Sequence, residues 1–172
     1  IRLDTNYYYW PSGWVNNTPG LFTGSGMPMR FAGAGGALID VYQATTQMTD
    51  ESSQQYPFTV DTLLDRALGP EGYYGAFVAN MHTDGPSHAG AIAIVDSAQA
   101  RGVPVITAQQ LLEWLDGRNG SSFGAIGWSG STLSFTVTTG PGARNLQGMV
   151  PVAHNAAVLG SLTRDGAPVS YT

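Results

Sequence analysis

The spacing of apolar residues changes character once along this 172-residue chain, and that change limits what it can fold into. Up to Asp116, segments with helical spacing alternate with strand-like ones; beyond it only short strand-like segments follow. Thr59 to Leu68 puts Val60, Leu63, Leu64 and Leu68 on one helical face, with Thr59 as its cap and Gly69-Pro70 as its stop. Ser87 to Arg101 reads as a second helix, capped by Ser87, with Ile92, Val95 and Ala98 inward and Gly102 behind it. Ala108 to Asp116 reads as a third, packing on Leu111, Leu112 and Leu115 and leaving Trp114 partly exposed. Tyr74 to Met81 is a largely apolar run of the kind a buried parallel strand shows, and Val103 to Thr107 reads as a shorter strand. Near the start, Ile1 to Asn6 reads as a strand, and Pro28 to Ala32 and Ala37 to Tyr42 form a hairpin around Gly33-Ala34-Gly35-Gly36. Strand alternating with helix is the pattern of a parallel sheet or barrel.

After Asp116, Gly117 to Ser122 reads as a linker. Ala125 to Trp128, Thr132 to Thr138, Leu146 to Val150 and Val158 to Leu162 then alternate like sandwich strands. The residues left fall short of the roughly 100 of a complete sandwich. The expected architecture is therefore α/β: a partial (β/α) barrel over residues 1–118 and a partial β-sandwich over residues 119–172.

Composition removes several function classes. The seven basic residues are all Arg, against twelve Asp and Glu, so no basic stripe serves a nucleic-acid backbone. No Cys is present, which excludes a disulfide framework, a thiolate nucleophile and Cys-ligated zinc. Charged residues make up 11%, against roughly 25% in an ordinary domain, so Gly, Ser, Thr, Asn and Gln must build much of the surface. That balance is associated with exported bacterial proteins, and the expected location is secreted or cell-surface. No apolar run is long enough to cross a membrane, and Ile1 to Thr5 lacks a signal-peptide pattern.

His82 is the leading candidate for chemistry, because it follows an apolar strand at its carboxyl end, where α/β folds place functional groups. An imidazole titrates near neutrality and serves as general acid or base. Asp4, also just past a strand, is the candidate to orient it. His82, Asp84 and His88 lie within seven positions and offer a weaker alternative as metal ligands. Tyr8, Trp10 and Trp14, with Asn6 among them, suit a sugar: flat rings stack on apolar sugar faces and amides bond hydroxyls. Gly120 to Gly124 fits G-x-S-x-G, but it follows a helix and precedes strands, the reverse of a nucleophile elbow.

The runs RLDTNYYYWP, GLFTGSGMPMRF, LIDVYQATTQMTDE and ANMHTD together resemble the C-terminal half of NodB-type polysaccharide deacetylase-like domains, over roughly residues 1–118. These occur in large secreted bacterial proteins with trailing Ig-like or fibronectin-like modules. The resemblance implies a distorted (β/α) barrel that removes acetyl groups from N-acetylated sugars with a divalent metal, zinc by expectation. Motifs that would supply the metal ligands have no counterpart here and would lie before Ile1, so the chain reads as a fragment expected to be inactive alone and to hold no metal itself. The family's late motif, an apolar strand ending in His, matches Phe77 to His82 and implies His82 as the acid that protonates the leaving amine. The preceding Asp motif is matched by Asp4. The implied partner is a polysaccharide or glycan, together with other domains of the parent chain. The alternative is a non-catalytic glycan-binding or adhesion module on the same scaffold.

Overall fold

A computed structural model describes residues 1–5, 26–51, 54–70, 72, 75–85, 88–154 and 156–171. Tyr42, Ala44, Thr46 and Met48 are all at most 3% exposed, so one strand path is buried at every second position. That path is β3 (Leu38–Gln43) followed by β4 (Thr46–Thr49). β1 (Leu3–Asp4) runs parallel to β3, with Leu3 opposite Tyr42 and Asp4 opposite Gln43. β2 (Met29–Ala32) pairs antiparallel with β3, and the expected glycine hairpin joins them. Its turn is closed by Gly33 N–H on Ala37 O and by Gly36 N–H on Gly33 O, with Gly36 at φ +79°.

β4 pairs in parallel with β5 (Val78–Asn80). Parallel neighbours need a crossover connection, and α1 (Phe58–Leu68) lies on it. The cap expected at Thr59 does not form: the helix begins one residue earlier, behind Pro57. Thr59 is buried in the first turn, and its N–H donates to Gln55 O at 2.9 Å. α2 (Ala89–Ala100) starts at His88, while Ser87 lies outside the described residues. Its inward residues are Ile94 and Ala98, one helical turn apart, whereas Ile92, expected inward, is 52% exposed. α3 (Ala108–Asn119) opens on a capping box: Thr107 Oγ1 accepts the Gln110 N–H and Gln110 Oε1 accepts the Thr107 N–H. The strand expected at Val103 to Thr107 is irregular chain with no ladder partner among the described residues.

Two apolar clusters flank Ala76 to Val78, the run that enters β5, whose Ala79 and Asn80 are exposed. Phe77 joins Met48, Val60, Leu63, Leu64 and Ala98 beneath α1 and α2. Ala76 and Val78, on the opposite face, join Tyr42, Ala44, Leu111 and Leu115 beneath α3. Alternate side chains of this run thus feed two helical layers, which is why it is apolar. Arg2 ties β1 to the same arrangement: its guanidinium donates to both oxygens of Asp116, at 2.7 and 3.0 Å, and to both of Asp40.

Beyond α3, β6 (Ser122–Ser129) and β7 (Thr132–Thr138) form a hairpin. Between Gly124 and Gly127 the register slips by one, around Ala125 at φ +46°. This bulge brings Phe123, opposite Val137, and Trp128, opposite Leu133, onto one side despite their odd spacing. β8 (Ala153–His154) pairs with β9 (Ala157–Val158), and β10 (Thr163–Arg164) with β11 (Ala167–Pro168). No strand forms at Leu146 to Val150, and only Val158 of the run expected to reach Leu162 is in a strand. The described strands make one three-stranded and four two-stranded sheets, with no closed barrel among them.

Candidate functional site

β4 and β5 end side by side, with Thr49 opposite Asn80, so the residues that follow each strand emerge together. Asp50 and Glu51 leave β4; Met81 and His82 leave β5. The turn after β4 is folded back by Gln54 and Tyr56. Gln54 Oε1 accepts the Thr49 N–H at 2.9 Å, and its Nε2 donates to Gln47 O at 2.9 Å. The Tyr56 hydroxyl lies 3.1 Å from Thr49 O and 2.9 Å from Gln54 Oε1. Burial first, and the charge of Asp50 after it, push the Tyr56 hydroxyl pKa up to about 12.

Asp50 is only 15% exposed, and three donors meet its carboxylate. His82 Nδ1 stands 3.0 Å from Oδ1, the His82 N–H donates to Oδ2 at 3.0 Å, and His88 Nε2 stands 3.2 Å from Oδ2. An ionised carboxylate only accepts, so the hydrogen on His82 Nδ1 is the one it binds. His82 Nε2 is left on the side of Glu51, 3.6 Å from Glu51 Oε1. Thr49, Glu51, Asn80, Met81 and His82 line an open cleft of about 110 Å³ there. Clefts that enclose whole small molecules run to roughly 300–1,000 Å³. This one admits a single functional group of a larger molecule.

The Asp50 hydrogen bond, helped by the charges of Asp50 and Glu51, raises the His82 pKa above the ordinary imidazole value. The same bond to His82 lowers that of Asp50. A raised histidine adds stability that is complete below about pH 6.5 and is lost as pH climbs through the folded-state value. A lowered carboxylate adds stability that is present above about pH 3.9 and is lost as pH falls through its folded-state value. The pair is therefore intact from below the ordinary carboxylate range to above the ordinary imidazole range. Its protonated form carries an acidic N–H on Nε2; its neutral form carries a lone pair there.

Asp4, expected to orient His82, stands instead opposite Gln43. Seven further positions along that strand path separate Gln43 from Asp50, on the order of 20 Å at about 3.3 Å per residue. His82 takes its carboxylate contacts from Asp50 and Glu51. Neither was a candidate from sequence, although the alternation Tyr42, Ala44, Thr46, Met48 runs straight on to Asp50. The proposed ligands His82, Asp84 and His88 form no metal-holding group among the described residues. Both nitrogens of His88 are committed, Nε2 to Asp50 and Nδ1 to the Ala91 N–H at 3.3 Å. The side chains here thus form a hydrogen-bonded acid/base pair, His82 and His88 both meeting Asp50. Asn6, Tyr8, Trp10 and Trp14 lie outside the described residues.

Compared with family models, with curated proteins and with solved structures, the chain finds no match in any of the three.

Proposed function

We propose that residues 1–118 supply the proton-donating part of a carbohydrate deacetylase-like hydrolase, with His82 as the acid and Asp50 as the residue that holds it. One observation carries this reading: a nearly buried carboxylate binds Nδ1 of a histidine whose Nε2 lies at a cleft sized for one functional group. Amide cleavage breaks a C–N bond, and the departing nitrogen must gain a proton. A protonated Nε2 at the cleft delivers that proton, and Asp50 stabilises the imidazolium beforehand. An acetamido group matches the cleft in scale, while the rest of a polysaccharide would lie outside it. The resemblance supplies the substrate class, N-acetylated polysaccharide in an exported bacterial protein.

Binding tests the substrate class without requiring turnover. An oligomer of N-acetylglucosamine is expected to shift the His82 ring resonances in a saturable way, and a glucose oligomer of equal length is not. Equal shifts with both sugars, or none with either, would remove the acetamido group from the account.

A further inference from the structure

His88 lies six residues beyond His82, at the start of α2, and touches the same carboxylate. It is the N-cap of α2, and it caps with its ring: Nδ1 accepts the Ala91 N–H at 3.3 Å. An acceptor at Nδ1 carries no hydrogen, so a neutral His88 holds its proton on Nε2, 3.2 Å from Asp50 Oδ2. The ring is also confined. A Cβ at Gly90 would lie 3.2 Å from His88 Cε1, 3.1 Å from Met81 Cε and 3.0 Å from the Tyr56 ring, so these groups close tightly around Gly90 and any larger residue there would have to push them back by a few tenths of an ångström.

We propose that His88 is a positioning residue: anchored by the first turn of α2, it fixes Asp50 through Oδ2 so that Oδ1 stays in line with His82 Nδ1. The role rests on the His82–Asp50 pair described above and extends it to a third residue. Oδ2 then has two donors, the His82 N–H and His88 Nε2–H, which hold the carboxylate against rotation. Among the described residues, the ionisable groups facing His82 are Asp50, Glu51 and Asp84, and His88 is joined to it through Asp50.

Two substitutions separate positioning from capping. His88→Asn keeps a short acceptor for the helix N–H groups, for which Asn is among the best residues, but cannot reach Asp50. His88→Gln keeps a donor at about the reach of Nε2 and gives up the cap. Imidazole nitrogen resonances report the pKa and tautomer of His82 in each. His88→Asn is expected to move the His82 pKa down, toward the value found in Asp50→Asn, and to reduce its neutral Nδ1–H tautomer, with the urea midpoint held. His88→Gln is expected to leave His82 near wild type and to lower the midpoint. An unchanged His82 in His88→Asn would overturn the proposal, as would a neutral His88 carrying its proton on Nδ1 in the wild-type protein. If Asp50→Asn itself leaves His82 unmoved, the His82–Asp50 pair fails; if only His88→Asn is silent, the pair survives and the role of His88 does not.

Discussion

Gly117→Ala is expected to destabilise the chain by about 2 kcal/mol or more, although Gly→Ala within an exposed helix normally gains about 1 kcal/mol. Gly117 lies in the last turns of α3 and is buried. The segment from Gly140 to Ala143, which leaves β7, is laid directly against it. A Cβ at Gly117 would fall on the Ala143 nitrogen, 2.5 Å from Pro141 O and 2.7 Å from the Gly142 carbonyl carbon. These are backbone atoms, so no side-chain rotation relieves the clash. The contact is reciprocal, since a Cβ at Gly140 would lie 2.5 Å from Gly117 O. Ser121 closes the same junction: its hydroxyl donates to Gly117 O at 2.7 Å and accepts the Gly140 N–H at 2.9 Å. The gain in helix propensity is therefore outweighed by displacement of a backbone segment. Urea denaturation of the two proteins gives the sign, and a midpoint at or above wild type would show that the junction yields freely.

Leu115→Ala is expected to cost about 3–5 kcal/mol, the upper part of the range for core leucines. Leu115 is fully buried, and it shares its cluster with Tyr42, Ala44 and Leu111. Three features limit how far the site can collapse. Ala44 is already small. Tyr42 is pinned at its hydroxyl by the Asn119 amide. Trp114, already packed against this cluster, is held in place by its Nε1–H, which donates to Arg144 O at 2.8 Å. A cavity under α3 would loosen the contacts of Ala76 and Val78, and with them the strand that leads to His82. The same denaturation experiment measures it, and a loss under about 1 kcal/mol would mean that the helix is not seated as described.

The legible parts of this molecule were those in which one residue type has one common use. Leu111, Leu112 and Leu115 announce α3 by their spacing, and the glycines after Ala32 announce a hairpin. His82 was legible because an apolar strand delivers it. Its partner was not, for β4 reads Thr-Gln-Met-Thr and carries little apolar character. Its buried threonine at position 46 donates to Thr5 O at 2.5 Å, across 41 positions of chain, and such a strand is visible only through its alternation. Asp4 reads as the orienting residue because it stands at the end of an apparent strand; sequence spacing says nothing about which strand ends lie side by side. Capping misled twice. Thr59 is a good cap residue whose burial sends it into the helix instead. His88 is a poor cap residue by propensity, recruited because its ring spans the gap between a helix amide and a carboxylate.

The proposed role of His82 depends on Asp50 holding it, and a site-resolved titration of the His82 imidazole measures that directly. In the wild-type protein its pKa is expected above the ordinary value of about 6.5, with the neutral ring carrying its proton on Nδ1. In Asp50→Asn, with Glu51 and Asp84 still present, the pKa is expected to fall toward the ordinary value and the tautomer preference to weaken. A His82 that titrates identically in both proteins would contradict the account.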